Sequence, residues 1–359
     1  MKILYLCDRD LDDGSGVSQK ISMQSNEWVS KGHDVQLLSL MSLSFFSLNG
    51  ERLTDRQIDY KKGKFEVLLR LYKGSIRLKD ILKDIDFDLV YMRFQLYDPF
   101  FKSALKNRPL IVELNSVDTE EVKLRSKGAT LYNYMFRNLF LKNTDGCVCI
   151  SREIQAKSLT INKPSIVIAN GVNVQSFSYN SKEVLTKPSL VFIGSPGQAW
   201  HGLDKILILA KHLNNYDFHI IGKSAENIDN IFYHGYLSKE DAMQIIEKNT
   251  VGICSLALHR NSMEEASPLK SRQYLAQGLP IIYAYEDTDI EGEYPFMLRL
   301  PNTEDNIHKN VEPIKAFIDS IYKDENSRMT ARQFALDNLD ASKKEDQRLL
   351  FMESILQDK

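Results

Sequence analysis

The sequence predicts an α/β protein with two Rossmann-like, doubly wound parallel-sheet domains. Short apolar segments alternate with amphipathic helical patterns, which is typical of parallel sheets covered by helices on both faces. A polar segment, 179–189, separates two such series. At 359 residues the chain also exceeds the usual size of one hydrophobic core, so each series predicts a domain of its own.

The first series predicts six strands. They are residues 2–7, 34–40, 87–93, 110–114, 146–151 and 165–169. The first strand–helix unit is the clearest, because Gly14 and Gly16 follow the strand and Gly32 ends the helix. One face of that helix carries Val17, Ile21, Gln24 and Trp28.

The second series predicts five strands, and a charged amphipathic helix, 341–357, ends the chain pattern. The strands are residues 190–194, 217–222, 230–236, 251–256 and 279–284. Open parallel sheets bind ligands beyond the carboxyl ends of their strands. We therefore expect functional residues in the loops that follow strands, and two such domains face to face would form one central cleft.

Composition excludes several classes of function. A net charge of −2 gives no general attraction to nucleic acid, and no basic run is combined with aromatic residues as a nucleic-acid groove requires. The four cysteines are spread along the chain and read as small buried hydrophobes in a reducing compartment. No apolar run reaches the ~18–20 residues of a membrane span, and the N-terminal segment lacks the pattern of a signal peptide. We expect a cytoplasmic protein.

The segment 265–278 predicts a helix whose start holds an anion. Ser267 is a preferred N-cap, Pro268 suits the first helical position, and Gly278 suits the position after the helix. Lys270 then lies in the first turn, where it opposes the helix dipole at a cost of about 0.3–1 kcal/mol unless an anion neutralises it. Backbone N–H groups of residues 267–270 and this ammonium would suit a diphosphate. The alternative is an ordinary capped helix with Lys270 in water.

In each series, a glycine-bearing loop follows the first strand. The loop 13–16 lacks the third glycine of the dinucleotide fingerprint, and no acidic ribose ligand follows the second strand, which argues against a nicotinamide site. It is either an acceptor-binding loop or a plain turn. The loop 194–202 places His201 just before a helix, where the histidine either meets a phosphate or lies in water.

Acidic pairs and a basic helix offer two further candidate sites. The Asp-x-Asp pairs at 84–88 and 287–289 lack a nearby histidine or third carboxylate, so we predict no protein-bound metal. Residues 56–83 form a basic amphipathic pattern that fits either contact with an anionic membrane or a solvated face over an ordinary core.

Five motifs along the chain carry a family resemblance. They are Lys2-Ile-Leu-Tyr-Leu, Lys31-Gly-His-Asp-Val, Asn170-Gly-Val-Asn-Val with Phe177, Phe192-Ile-Gly-Ser with Trp200-His-Gly-Leu, and Ser267-Pro-Leu-Lys. Together they resemble the retaining glycosyltransferases of family 4, which have the two-domain GT-B fold. The resemblance covers essentially the whole length, and the last two motifs are specific in combination.

The resemblance implies a division of labour. Residues 1–180 would bind the acceptor, residues 181–340 would bind a UDP- or GDP-sugar, and the helix within 341–359 would pack back on the first domain. Glu265, which would hold hydroxyls of the donor sugar, and Lys270 are the implied catalytic residues. The implied donor-binding residues are Gly194, Ser195, His201, Gly202, Tyr236, Ser267, Pro268, Leu269 and Gln273. The implied acceptor-binding residues are Gly14, Gly16 and Asn115.

Three positions depart from the family pattern. The second glutamate of the family's Glu-x7-Glu signature is replaced by Gln273, whose amide binds a ribose diol less strongly than a carboxylate does. His201 stands in the loop where many relatives carry an arginine and a lysine. Asn115 stands where many relatives carry a histidine, and an amide cannot act as a base.

The resemblance therefore implies a metal-independent, retaining hexosyltransferase without a cofactor, which adds a sugar to a glycan or lipid-linked acceptor in surface polysaccharide assembly. It would work in the cytoplasm or at the inner face of the membrane. A non-catalytic homologue that binds a sugar nucleotide or a partner protein is the alternative that Gln273 and Asn115 suggest. An epimerase or phosphorylase on the same fold stays open, although no cofactor lysine of a phosphorylase is identifiable.

Overall fold

The computed structural model describes residues 1–54, 66–179, 187–194, 197–324 and 326–358. They form two compact units. The first comprises Met1–Ile168 and Ser342–Lys359, and the second comprises Ala169–Ala341. The chain thus leaves the first unit once and returns to it at its end.

The described residues of the first unit form one seven-stranded sheet. Its strands are β1 (Lys2–Cys7), β2 (Asp34–Ser39), β3 (Phe45–Phe46), β4 (Leu89–Arg93), β5 (Leu110–Leu114), β6 (Gly146–Cys149) and β7 (Ser165–Val167). The spatial order is β3-β2-β1-β4-β5-β6-β7, and only β3 runs antiparallel to its neighbour. The six predicted strands are confirmed, whereas β3 is too short for its pattern to be recognised.

Helices connect these strands. They are α1 (Gly16–Ser30), α2 (Glu66–Leu82), α3 (Phe101–Ala104), α4 (Asp118–Arg125), α5 (Lys127–Asn143) and α6 (Arg152–Ser158). Helix α1 begins where the sequence predicts, because the Ser15 hydroxyl accepts a hydrogen bond from the backbone N–H of Ser18 at 3.2 Å. The buried face of α1 includes Ile21, Gln24 and Trp28, as expected.

The described residues of the second unit form a six-stranded parallel sheet and a separate pair of strands. The strands of the large sheet are β8 (Ser189–Ile193), β9 (Asp217–Ile221), β10 (Ile231–Gly235), β11 (Val251–Ile253), β13 (Ile281–Tyr283) and β15 (Met297–Arg299). The separate pair consists of β12 (Glu265–Ala266) and β14 (Glu286–Asp287). The large sheet has the order β10-β9-β8-β11-β13-β15, while β12 pairs with β14. The five predicted strands are confirmed, and the sequence pattern missed β12, β14 and β15.

The helices of the second unit are α7 (Leu203–His212), α8 (Lys239–Glu247), α9 (Leu269–Ala276), α10 (Val311–Lys323) and α11 (Ser327–Phe334), followed by α12 (Ala341–Gln357). Helix α12 has the predicted bounds and packs into the first unit. Its Leu349, Met352 and Ile355 side chains are buried in the same core as Trp28. Gly146 permits this close approach, since a Cβ atom there would lie 3.0 Å from the Phe351 ring.

An aromatic cluster lies at the centre of the first unit. Tyr5 stacks on Trp28 with ring centroids 5.5 Å apart, and Tyr91 meets both rings edge-on.

Among the described helices, none combines the length and apolarity needed to cross a lipid bilayer.

Candidate functional site

Three strands of the second unit end in glycine at adjacent points of the sheet edge. Gly194 follows β8, Gly222 follows β9, and Gly235 ends β10. The backbones approach so closely that a Cβ atom on Gly222 would lie 2.2 Å from the carbonyl oxygen of Gly194. Gly222 also has φ +97°, a conformation that glycine adopts readily. The carboxyl ends of these strands therefore present backbone rather than side chains, which is where parallel sheets bind ligands.

Helix α9 begins one residue later than the sequence predicts. Pro268 is the N-cap, and no side chain caps the helix. The predicted N-cap, Ser267, is wrong because its hydroxyl accepts a hydrogen bond from the backbone N–H of Asn170 at 2.8 Å and is turned away from the helix. Gly278 has φ +72° after the last turn, as predicted. Leu269 and Lys270 therefore occupy an uncapped first turn, whose N–H groups and dipole favour an anion.

Three contacts anchor α9, one to the large sheet and two to β14 and the residues after it. The Tyr274 hydroxyl accepts a hydrogen bond from the backbone N–H of Ile193, at the end of β8, at 2.8 Å. The fully buried Arg272 guanidinium donates to Asp287 at 2.7 Å and to Asp289 at 2.9 Å. Through these contacts the helix start is fixed next to the glycine-rich edge.

The ammonium of Lys270 is buried at this helix start. Its Nζ atom lies 4.4 Å from the centroid of the Phe192 ring and has no hydrogen-bond partner among the residues that the structure describes. Burial lowers the pKa of Lys270 to about 8. A cation–π contact offsets only part of the loss of hydration, so the site favours an anion strongly.

Phe192 brings three of the predicted residues together. The His201 ring meets the Phe192 ring edge-on, with the ring centroids 5.6 Å apart. Lys270 contacts the same Phe192 ring. A Cβ atom on Gly194 would lie 2.5 Å from Phe192 and 2.9 Å from Nδ1 of His201. Lys270, Gly194 and His201, which are remote in sequence, thus surround one side chain.

A small cavity of about 30 Å³ opens beside this group. Phe192, Gly194, His201 and Lys223 line it, and Leu203 contributes the first residue of α7. Gly202 is the N-cap of α7 with φ +72°, and no side chain caps this helix either. The uncapped starts of α7 and α9 and the basic side chains of Lys223 and Lys270 therefore belong to the same region of the second unit.

Glu265 and Gln273 flank the start of α9 in sequence. Glu265 is buried on β12, which pairs in parallel with β14. Gln273 is half-buried one turn into α9. Tyr236, just after β10, exposes 73% of its surface and is free to contact a ligand. Ser195 lies outside the described residues.

The predicted acceptor loop lies in the first unit. Gly14 has φ +63° and Gly16 is the first residue of α1. The carboxylate of Asp13 accepts hydrogen bonds from the Ser15 backbone N–H at 2.9 Å and from the Ser18 hydroxyl at 2.6 Å. The loop is therefore a closed turn with its glycine exposed to solvent.

Asn115, the other predicted acceptor residue, follows β5 and belongs to a buried polar network. Its Oδ1 atom accepts a hydrogen bond from Lys20 Nζ at 2.8 Å, and Lys20 also pairs with Glu113 at 2.5 Å. Burial would raise the pKa of the Glu113 carboxyl, but the charges of Lys20 and Arg348 outweigh burial and hold it well below its usual range. The Nδ2 atom of Asn115 is buried without a hydrogen-bond partner in the described part of the chain.

The Asp-x-Asp pairs have structural partners. Asp287 and Asp289 both hold Arg272, and Asp86 pairs with Lys2 at 2.6 Å. Within the described ranges, no group of three or more His, Cys, Asp or Glu side chains is arranged to hold a metal ion.

Comparison with known proteins gives this geometry a family context. Residues 14–176 match the sequence model of Glycosyltransferase Family 4. The predicted resemblance to family 4 glycosyltransferases is confirmed. A search of curated protein sequences finds no match to this chain.

Solved structures share the fold at low sequence identity. Sucrose-phosphate synthase from Thermosynechococcus elongatus has a TM-score of 0.77 and 12% identity, with 100% of both chains covered. A glycosyltransferase from Rickettsia africae has a TM-score of 0.70 and 13% identity, covering 100% of this chain and 99% of its own. HepE from Anabaena, solved with UDP-glucose, has a TM-score of 0.68 and 13% identity, covering 99% of this chain and 100% of its own. The protein has the GT-B glycosyltransferase fold, and the family match and the fold together support a glycosyl transfer role.

Sequence reasoning assigned no role to the side chains of Phe192 and Arg272, although both organise the candidate site. Phe192 lies in an apolar strand, where nothing in the sequence distinguishes it from a core residue. Arg272 has a recognisable signal, because two aspartates at 287 and 289 beside a buried strand need a cation.

Proposed function

We propose that the protein is a metal-independent, retaining glycosyltransferase. It moves a hexose from a nucleotide diphosphate sugar, with UDP or GDP as the nucleotide, to a glycan or lipid-linked acceptor. Residues of the second unit within the range 181–340 bind the donor, and residues of the first unit within the range 1–180 bind the acceptor. The family match and the GT-B fold support the transfer of a sugar, and the second unit's site supports the donor class.

The buried ammonium of Lys270 is the observation that carries this proposal. It lies in an uncapped helix turn, over an aromatic ring, without a hydrogen-bond partner among the described residues. A buried cation without a partner is costly unless a ligand supplies the opposite charge. A diphosphate supplies that charge and also accepts hydrogen bonds from the free N–H groups of the helix start.

The reaction breaks the bond between the sugar's anomeric carbon and the terminal phosphate oxygen of the donor. Positive charge develops on the sugar and negative charge on the departing diphosphate, so donors fixed around the diphosphate lower the barrier. The acceptor hydroxyl oxygen bonds to the anomeric carbon on the face that the phosphate leaves. Its proton passes to the leaving phosphate oxygen, and the chain itself needs no strong base.

Each residue of the donor site then has a role. Lys270 and the start of α9, formed by Ser267, Pro268 and Leu269, hold the diphosphate. Gly194, Ser195, His201 and Gly202 admit and bind it from the side of β8 and α7. Glu265 holds sugar hydroxyls, Gln273 holds the ribose, and Tyr236 contacts the nucleotide. Gly14, Gly16 and Asn115 bind the acceptor in the first unit.

Nucleotide binding tests the donor site with a matched pair of variants. Lys239 also lies at a helix start and over an aromatic ring, 5.2 Å from the Phe177 centroid, but it is exposed and its helix is capped by Ser238. UDP or GDP at 100 times its dissociation constant should stabilise the wild type by about 2.7 kcal/mol. Lys270→Met should lose this stabilisation, and Lys239→Met should keep it.

Two results would contradict the donor site. One is an equal response of the two variants to nucleotide. The other is the absence of any thermal shift of the wild type with every nucleotide diphosphate and nucleotide sugar tested.

Gln273 favours a second candidate, a non-catalytic protein that binds a sugar nucleotide. A neutral amide replaces the carboxylate that the family uses for the ribose. Tight nucleotide binding with neither donor hydrolysis nor transfer to any acceptor would favour this candidate. Turnover gained by Gln273→Glu would identify the amide as the reason.

A cytoplasmic site of action and a role in surface polysaccharide assembly complete the proposal. The four cysteines are buried and free, which suits a reducing compartment. The predicted membrane contact through residues 56–83 lies partly outside the described residues, at 56–65, and stays a prediction. Transfer assays with soluble oligosaccharide and lipid-linked acceptors would separate the two acceptor classes.

A further inference from the structure

Helix α5 of the first unit exposes an unusual apolar face. Leu131, Tyr134, Met135 and Leu139 expose 61%, 86%, 59% and 41% of their surfaces. Their spacing places all four on one side of the helix. Isolated exposed apolar residues are common, but four large ones on one helix face mark an interaction site.

The opposite face of α5 is held firmly against the unit. Arg137 is buried and donates to both carboxylate oxygens of Asp118, at 2.5 and 2.8 Å, and Asn133 donates to the same carboxylate at 3.2 Å. The Tyr132 hydroxyl donates to the carbonyl of Tyr97 at 2.9 Å. These contacts fix the rotation of the helix, so the apolar residues cannot turn inward.

The charges of α5 suit an anionic partner. The helix contains no aspartate or glutamate, and its two exposed charged residues are Lys127 in the first turn and Lys142 in the last. Beyond the last turn, the ammonium of Lys163 donates to the carbonyl oxygens of Lys142 and Thr144, at 2.9 and 2.7 Å. The apolar face is therefore flanked by positive charge at both ends.

We propose that this face of α5 docks on an anionic lipid bilayer. Leucine and methionine side chains would enter the acyl boundary, the Tyr134 ring would lie at the headgroup level, and the lysines would contact lipid phosphates. Binding of a protein surface to a membrane interface grows with the apolar area that enters the bilayer and with the attraction to anionic lipids, and this face offers both. The proposal concerns binding alone and is independent of the donor site.

Vesicle sedimentation of the full chain tests the proposal. The protein should bind vesicles of mixed phosphatidylglycerol and phosphatidylcholine, and binding to phosphatidylcholine alone should be much weaker. Tyr134→Asp and Leu131→Asp should each reduce binding about fivefold or more, and so should Lys142→Glu, since each removes favourable contact or adds repulsion. Leu350→Asp is the matched control, because Leu350 is 65% exposed on a different helix, α12.

Three results would overturn the proposal. The α5 variants and the control could bind vesicles equally, or the wild type could bind neutral and anionic vesicles alike. Light scattering could instead show a dimer that Tyr134→Asp dissociates, which would make the face an interface between copies of the chain. Each variant should fold, because all the substituted side chains are exposed. Circular dichroism of each variant verifies this.

Discussion

Two buried lysines, one in each unit, have lowered pKa values and opposite surroundings. Burial lowers the pKa of Lys20 and of Lys270 to about 8 in both cases. Lys20 donates to Glu113 and Asn115, at 2.5 and 2.8 Å. Lys270 has an aromatic ring at 4.4 Å and, within the described ranges, no hydrogen-bond partner.

The difference separates a lysine that maintains the fold from one that waits for a ligand. The partners of Lys20 lie in the chain itself, so its charge is compensated as soon as the first unit folds. Lys270 is compensated only when something anionic binds. A lowered pKa alone therefore does not identify a lysine that binds a ligand. The presence or absence of hydrogen-bond partners within the described part of the chain distinguishes the two lysines.

The largest expected effect on stability comes from Lys20→Met. This variant leaves the Glu113 carboxylate buried, and we expect a loss of about 3 kcal/mol, at the low end for a broken buried pair because Arg348 remains 3.6 Å away. Urea unfolding measures it. The control is Lys157→Met, whose exposed pair with Glu153 should contribute no more than about 0.5 kcal/mol. An equal, small loss in both variants would show that the network is not holding the fold.

Lys270→Met should affect sugar transfer rather than the stability of the fold. The free energy of unfolding of the ligand-free protein should change by less than about 1 kcal/mol or rise, because a buried cation is replaced by an apolar group of similar length. Transfer should fall about 100- to 1,000-fold, as when one donor around a developing anion is removed. Urea unfolding and single-turnover transfer measure the two effects. A large loss of stability with normal transfer would make Lys270 a structural residue.

Nucleotide affinity should depend on pH through Lys270. The folded pKa of about 8 lies below the value of 10.5 for a free lysine, so the ligand-free folded state releases this proton as pH rises through about 8. A bound diphosphate favours the ammonium, and affinity should fall above pH 8 by up to about tenfold per pH unit. Titration calorimetry from about pH 7 to about pH 9.5 measures this. Lys270→Met should bind weakly at every pH, and a flat wild-type profile would place the ammonium away from the phosphates.

The smallest expected effect comes from Gln273→Glu. A carboxylate accepts hydrogen bonds from a ribose diol more strongly than an amide, and nucleotide should bind about fivefold more tightly. Gln244→Glu introduces the same charge at an exposed position of α8 and should leave affinity unchanged. Weaker binding by Gln273→Glu alone would show that residue 273 faces a phosphate or another acid rather than the ribose.

The sequence predicts the sheets well because buried parallel strands are continuous apolar runs. β1 and β5 have the predicted bounds, whereas β15 is short and carries Arg299, so its pattern is weak. The N-cap of α9 could not be predicted from local preference, since Ser267 bonds to Asn170, 97 residues away. The uncompensated charge of Lys270 followed from helix chemistry, but the Phe192 ring beneath it required tertiary structure.

The crossing of α12 into the first unit affects how the protein folds during synthesis. Arg348 donates to the Tyr91 hydroxyl at 2.9 Å, and Glu345 accepts from the Trp28 indole at 2.7 Å. Until α12 has left the ribosome, the first unit lacks part of its core, and the Trp28 indole N–H lacks its acceptor on Glu345. Its completion therefore follows translation of the second unit, and a nascent chain that stalls before α12 would expose surface that chaperones recognise.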